Sequence, residues 1–294
     1  MKVIECSGLT KAYSKGKALN ELSFTIEENK ITGLIGRNGA GKTTLLKIIA
    51  GYLNETSGEI RVFSQKPFNN LKVSKNMVFI DDQLTFPAAF RLQEVLDTAE
   101  LFYQHWDMDL AMRLSNYFSL NLNSYHASLS KGMTSTFNMI FGLAARCPLT
   151  IFDEPTTGMD AAVRKDFYRA LLKDYINHPR TILLSSHLLN EIDDLLEDIL
   201  LINDGQKALH LPVEDLKNYA IGVRGNTETV NELLRGREVF HRQSIGSNGT
   251  YVVVKNDAAI HATGLEVTPV SADDLCVYLT NKTKGGIDDV FNRG

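Results

Sequence analysis

Short apolar segments separated by polar turns recur along the first two thirds of the chain, and this pattern predicts β-strands. The clearest of these segments lie at residues 22–26, 31–35, 77–80, 149–152, 181–185 and 199–202. Residues 42–50, 162–176 and 188–196 carry the helical period instead. Strands that alternate with helices indicate an α/β fold with a mostly parallel sheet covered on both faces.

Residues of about 88–147 follow a different pattern, in which apolar side chains repeat at helical spacing. Leu92, Leu96 and Ala99 form one such series, and Phe137, Ile140 and Ala144 belong to another. We therefore predict an inserted, mainly helical subdomain within a first domain of residues 1–210.

The pattern changes again after residue 205, and residues 211–294 are predicted to form a small α+β accessory domain. Residues 252–254 are typical of a strand, and Ser271 begins a capped helix. The polar tail from Lys282 is expected to be loosely ordered. This last part of the sequence carries no recognisable chemistry.

Composition limits the classes of protein to be considered. The chain has 294 residues, enough for a full α/β core and an appendage, and its net charge of −4 argues against a general nucleic-acid binder. Three scattered cysteines, Cys6, Cys147 and Cys276, suit reduced thiols. No signal peptide or membrane-spanning apolar run is present, so we expect a cytoplasmic protein whose membrane role passes through another chain.

A glycine-rich segment between the strand at 31–35 and the helix at 42–50 satisfies the phosphate-loop pattern. Its backbone N–H groups can surround phosphate oxygens at the positive end of the helix. Lys42 is expected to reach the β- and γ-phosphates and Thr43 to bind Mg²⁺. The segment consists of Gly36, Arg37, Asn38, Gly39, Ala40, Gly41, Lys42, Thr43 and Thr44.

Two carboxylates, Asp153 and Glu154, end the strand at 149–152 and should lie at the edge of the sheet beside the phosphate loop. Asp153 is expected to hold Mg²⁺ through water. Glu154 is the candidate general base that orients and deprotonates the attacking water. Acidic residues at strand ends are often merely solvated, but the following Pro155-Thr156-Thr157-Gly158-Met159-Asp160 favours the functional interpretation.

These two motifs and the intervening Leu129-Ser130-Lys131-Gly132-Met133 resemble, in that order, the ATP-binding subunits of ABC transporters. The resemblance covers residues of about 3–205. It implies a P-loop NTPase core with a mostly parallel sheet, an antiparallel β-subdomain and an inserted helical subdomain. The expected activity is hydrolysis of ATP, with ATP and Mg²⁺ as ligands.

The same resemblance assigns several residues that spacing alone would not. Gln83 is similar to the glutamine that completes the Mg²⁺ shell, and His187 to the histidine that contacts the γ-phosphate. Tyr13 is placed like the aromatic that stacks on adenine. Residues 157–160, ending at Asp160, resemble the loop that crosses to a partner subunit. Taken alone, a single His or Gln is more often structural.

In this family two ATPase units pack head to tail, and each ATP lies between the phosphate loop of one unit and the Ser-Gly segment of the other. The resemblance therefore implies a homo- or heterodimer in which Ser130 and Gly132 contact the partner's nucleotide. A separate membrane permease is the second implied partner, and no nucleic acid is expected. The protein would lie at the inner face of the membrane through that permease.

The Ser-Gly segment departs from the family's usual Leu-Ser-Gly-Gly-Gln at Lys131 and Met133. Lys131 either adds a cation toward the γ-phosphate across the dimer or points to solvent or an acidic partner residue; we favour the second interpretation. A slow, degenerate site is a third possibility, against which Glu154 and His187 argue. We expect Lys131→Gly to keep part of the ATPase rate.

Three functions are compatible with these motifs. The leading one is the ATPase subunit of a membrane ABC transporter, resembling bacterial drug- or peptide-efflux and antibiotic-resistance systems. The second is a soluble ABC-type ATPase acting on ribosomes or nucleic acid, although the chain lacks a second ATPase unit and a charged linker. The third is a module that senses nucleotide without driving transport.

Overall fold

A computed structural model describes residues 1–187, 189–257 and 264–280. Contacts divide the chain into two compact units. The first comprises Met1–His187 and Ile192–His210, and the second comprises Leu188–Glu191 and Leu211–Gly294. The predicted polar tail from Lys282 lies outside the described residues.

The strands of the first unit form two sheets. In chain order they are β1 (Lys2–Tyr13), β2 (Gly16–Glu27), β3 (Ile31–Ile35), β4 (Ser57–Val62), β5 (Met77–Ile80), β6 (Leu149–Asp153), β7 (Thr181–Ser186), β8 (Asp198–Asn203) and β9 (Gln206–Pro212). The larger sheet has the order β5-β6-β7-β3-β8-β9, and the first five of these strands pair in parallel. Every residue of β3, β5, β6 and β7 is buried, as expected for a parallel sheet covered on both faces. The predicted α/β fold is confirmed.

The smaller sheet of the first unit is antiparallel, with the order β2-β1-β4. Its apolar side chains, including Ile4, Leu9 and Leu22, belong to the same buried cluster as Leu45 and Ile49 from the helix after the phosphate loop. This shared core holds the phosphate loop against the antiparallel sheet. The predicted antiparallel subdomain is confirmed.

The helices of the first unit are α1 (Lys42–Ile49), α2 (Leu71–Ser74), α3 (Leu92–Phe102), α4 (Met108–Tyr117), α5 (Lys131–Ala144) and α6 (Ala161–Asn177). α3, α4 and α5 occupy the region predicted to be a helical subdomain. α5 approaches the parallel sheet closely at Gly142, where a Cβ would lie 2.7 Å from Ile80 and 2.8 Å from Phe152. The missing side chain lets the helix pack onto β5 and β6.

One sequence prediction of a helix is wrong. Residues 188–196 were expected to form a helix, but the described part forms two 3-10 turns, Leu189–Glu191 and Asp193–Leu195. Leu189, Ile192 and Leu195 recur every third residue. That period matches the three residues per turn of a 3-10 helix, and over a short segment it is easily taken for an α-helical one.

The second unit, within its described residues, contains one antiparallel sheet of order β11-β12-β10-β13, with strands β10 (Ala220–Asn226), β11 (Val239–Ile245), β12 (Gly249–Lys255) and β13 (Glu266–Pro269). Its helices are α7 (Val213–Leu216), α8 (Thr227–Leu233) and α9 (Ala272–Thr280). Val223, Val252 and Val254 of the sheet pack with Val230 of α8 in a separate small core. The hydroxyl of Ser271 accepts a hydrogen bond from the N–H of Asp274 (3.0 Å) and so caps α9.

Candidate active site

The phosphate loop bends through left-handed backbone at Gly39 (φ 84°) and Gly41 (φ 107°), and α1 begins directly after it. A Cβ on Gly41 would lie 2.4 Å from the carbonyl oxygen of Ala18, so only glycine fits this position. No side chain caps α1, which leaves the N–H groups of its first turn available to an anion. A cavity of about 220 Å³ opens here, lined by Ala18, Arg37, Asn38, Gly39, Gly41, Lys42, Thr43, Thr44 and Glu154.

Gly36 and Ala40, the remaining residues of the predicted loop, do not line this cavity but accept hydrogen bonds through their carbonyl groups. The Gly36 carbonyl accepts a hydrogen bond from the ammonium of Lys42 (2.6 Å). Ala40 is buried, and its carbonyl accepts a hydrogen bond from the N–H of Gly205 (3.0 Å). These contacts fix the loop's backbone around the cavity.

Lys42, Glu154 and His187 converge although they are far apart in the sequence. The Lys42 ammonium lies 3.2 Å from Oε1 of Glu154, and Lys42 is only 6% exposed. Nδ1 of His187 lies 2.7 Å from the other carboxylate oxygen, Oε2. Glu154 is thus held between the ammonium of Lys42 and the imidazole of His187, which is a suitable arrangement for orienting a water molecule.

Asp153 and Glu154 are both ordered by Ser185, a residue of β7. The Ser185 hydroxyl donates a hydrogen bond to Oδ1 of Asp153 (2.6 Å) and accepts one from the N–H of Glu154 (2.8 Å). Asp153 is buried, and this bond orients its carboxylate at the end of β6. Sequence reasoning missed Ser185, whose only signal was its position at the end of a neighbouring strand.

A second cavity of about 410 Å³ adjoins the phosphate loop and brings the predicted metal-binding residues together. It is lined by Asn38, Thr43, Lys47, Asp81, Asp82, Gln83, Asp153, Glu154, Thr157 and His187. Asn38, Thr43 and Glu154 line both cavities. The two cavities therefore form adjacent parts of one site.

Gln83 is exposed, and its side-chain oxygen lies 3.4 Å from the ammonium of Lys47. Asp81 orients this loop by accepting a hydrogen bond from the N–H of Gln83 (3.1 Å). Burial raises the pKa of the Asp81 carboxyl above its usual range. Asp81, Asp82 and Lys47 were missed, although the two aspartates precede Gln83 directly and follow a strand.

Ser130, Gly132 and Asp160 do not line either cavity. The Ser130 hydroxyl caps α5 by accepting a hydrogen bond from the N–H of Met133 (3.3 Å), and Asp160 caps α6 through the N–H groups of Ala162 and Val163 (both 2.9 Å). Within this chain, these three predicted residues therefore have structural contacts. Their predicted roles toward nucleotide require a second molecule.

Lys131 is exposed at the start of α5, but its aliphatic stem lies along Gly158. A Cβ on Gly158 would lie 3.0 Å from Cγ and 3.2 Å from Cδ of Lys131. The neighbouring Gly132 is equally close, since its own Cβ would lie 2.8 Å from the Gly158 carbonyl oxygen. Lys131, which stands where the family usually has glycine, is therefore accommodated by packing of its stem on Gly158.

Tyr13 lies at the end of β1, is 49% exposed and does not line the phosphate cavity. The Lys11 ammonium is 5.4 Å from the centre of its ring. The ring is thus available at the surface, where adenine stacking stays a prediction.

This site combines a phosphate loop with two carboxylates and a histidine that follow the carboxyl ends of parallel strands. The family model described as "ABC transporter" matches residues 19–157. The chain accordingly carries an ABC transporter ATP-binding domain.

The chain is similar to several named proteins over most of its length. The chain is 28% identical over 278 residues to the ABC transporter ATP-binding protein YtrB of Bacillus subtilis (strain 168), covering 94% of this chain and 95% of the relative. It is 29% identical to the bacitracin transport ATP-binding protein BcrA of Bacillus licheniformis, covering 73% of this chain and 71% of the relative. Among solved structures, an ATP-binding subunit of an ABC transporter superposes with a TM-score of 0.65 at 24% identity, over 73% of this chain and 92% of that one.

Proposed function

We propose that the protein is the ATP-hydrolysing subunit of a membrane ABC transporter that exports its substrate through a separate permease. The observation that carries the proposal is the convergence of Lys42, Glu154 and His187 at the phosphate loop. Export is supported by the resemblance to a relative named for Nod factor export, which is 27% identical over 210 residues.

In the proposed reaction, the phosphates of ATP take the place that Glu154 now holds beside Lys42. The ammonium and the N–H groups of the first turn of α1 bind the phosphate oxygens. Glu154, released from the ion pair, orients the attacking water and accepts its proton. His187 contacts the γ-phosphate while its ring stays close to Glu154, which restricts the water to one position.

The residues predicted to hold Mg²⁺ fit that ion. Thr43, Gln83 and Asp153 line one cavity and offer hydroxyl, amide and carboxylate oxygens, the hard ligands that Mg²⁺ prefers. When bound, Mg²⁺ supplies positive charge that offsets the charge on the phosphates. Ser185 would keep the Asp153 carboxylate turned toward it.

The proposed active unit is a dimer, with a second copy of this chain or a close relative. Ser130 and Gly132 lie outside the cavities that contain Lys42 and Glu154. Each segment would then complete the nucleotide site of the partner, as the family's arrangement implies. ATP binding would close the dimer, and hydrolysis with product release would reopen it.

A groove in the first unit offers a place for the permease. It has a volume of about 500 Å³ and is lined mainly by apolar residues of α2, α3 and the loop before α3. Leu71 is 84% exposed and Phe102 78% exposed in its lining, and an exposed contiguous apolar patch is typical of an interaction site. No helix among the described residues is long and apolar enough to cross a membrane. The protein is proposed to lie at the inner face of the membrane, bound to the permease.

Purification from solubilised membranes with a Glu154→Gln trap tests this function. We expect the variant to retain ATP, to dimerise and to co-purify with a multi-span membrane protein identified by mass spectrometry. Glu232→Gln, which removes an exposed carboxylate of α8, is the matched control and should hydrolyse ATP normally. Co-purification with ribosomes and with no membrane protein would contradict the proposal.

A further inference from the structure

Glu154 is held by its backbone as well as by its side chain. Its φ of 47° lies in the left-handed region, which is strained for a residue with a side chain. Its N–H donates to Ser185, and its carbonyl accepts a hydrogen bond from the Thr157 hydroxyl (2.9 Å). Surrounding contacts must maintain such a conformation, so the orientation of the carboxylate depends on them.

The contact at Thr157 continues into α5. The Thr157 carbonyl accepts a hydrogen bond from the hydroxyl of Ser135 (2.8 Å), one turn into that helix. Two hydrogen bonds in series thus join α5 to the backbone of Glu154. Both side chains are partly buried, where competition from water is reduced.

The same end of α5 packs against the loop through two further residues. Gly132 approaches the Gly158 carbonyl, and the stem of Lys131 covers the Gly158 backbone. Because the start of α5 and the loop after Glu154 are in such close contact, a displacement of one requires a displacement of the other. Ser135 provides the directional bond in this contact.

We propose that Ser135 and Thr157 are positioning residues of the ATPase reaction, transmitting the position of the start of α5 to the carboxylate of Glu154. This inference rests on the proposed function, in which Glu154 is the base and the Ser130–Gly132 segment meets the partner's nucleotide. Closure of the dimer around that nucleotide would then align Glu154 within the same chain. Hydrolysis would respond to closure through these two hydrogen bonds.

Steady-state ATP hydrolysis by Ser135→Ala and Thr157→Val tests the inference. Each change removes one hydroxyl, and we expect kcat to fall about three- to tenfold, as loss of one hydrogen bond from a transition-state arrangement implies. KM for ATP should stay within about twofold, because neither residue belongs to the phosphate loop. Ser135→Thr keeps the hydroxyl and should restore kcat.

The control is Ser128→Ala, which removes a comparable bond from a serine hydroxyl to the carbonyl of Tyr125 (2.7 Å) without a link to Glu154. It should leave kcat unchanged. The double variant Ser135→Ala/Thr157→Val should be no slower than the slower single variant, because the two bonds act in series.

Equal kcat in Ser135→Ala, Ser128→Ala and the unmodified protein would overturn the inference, even if thermal stability fell. So would full additivity in the double variant, since independent effects indicate no relay. Turnover by Glu154→Gln above about a tenth of the unmodified rate would overturn the base assignment and this inference together. Failure of the proposed role of Ser135 and Thr157 can therefore be distinguished from failure of the base assignment.

Discussion

Replacement of Glu154 by glutamine is the most informative change, because it alters one charge and keeps the side chain's shape. Glutamine can still accept a hydrogen bond from Lys42, but it cannot accept the proton of the attacking water. Loss of a general base typically lowers the rate by about 10²–10⁴-fold. We therefore expect kcat to fall by at least about a hundredfold.

The same substitution should tighten the binding of ATP. The Lys42–Glu154 separation of 3.2 Å corresponds to about 5 kcal/mol of attraction at an effective dielectric constant of about 20. The Glu154 side chain is 25% exposed, and the cost of removing both charges from water offsets most of that attraction. If about 1–2 kcal/mol remains as competition with phosphate, the Kd for ATP falls about 5- to 30-fold.

Phosphate release measures the first effect, and titration with a fluorescent ATP analogue measures the second. Glu232→Gln controls for the loss of a carboxylate far from the phosphate loop in the sequence. Turnover above about a tenth of the unmodified rate would refute the base assignment. An unchanged Kd would refute the idea that Glu154 competes with phosphate for Lys42.

Three further outcomes follow from other parts of the first unit and from the cysteines. Gly41→Ala should abolish measurable ATP binding in the same titration, because its Cβ would meet the Ala18 carbonyl at 2.4 Å. Asp174→Ala should lower the free energy of unfolding by about 3–5 kcal/mol in urea, because it deprives the buried Arg180 of its carboxylate partner. As a control, Asp109→Ala removes the exposed ion pair with Arg113 and should lower the free energy of unfolding by at most about 1 kcal/mol. Burial raises the pKa of the thiols of Cys6, Cys147 and Cys276 to about 12. Iodoacetamide at about pH 8 should therefore label none of them in the native protein and all three in denaturant.

Local features of the chain were predictable because their signals are local. Glycines at fixed spacing between a strand and a helix predicted the phosphate loop, and buried strands were visible as apolar runs such as 31–35 and 149–152. The segment at 188–196 was misjudged because apolar residues three apart suit both a 3-10 turn and one face of a short helix. Asp81 and Lys47 were missed because neither belongs to a motif with a fixed spacing.

The sequence by itself determined the class of protein, the order of its motifs and the identity of the groups that can bind phosphate and activate water. The tertiary structure alone decided how those groups meet. Lys42 and Glu154 are brought to 3.2 Å by separate strands of one parallel sheet, whose carboxyl ends share an edge. The link from Ser135 through Thr157 to Glu154 depends on packing between a helix and a loop distant in the chain. Such contacts depend on the whole fold, because no local spacing specifies which surfaces are placed against each other.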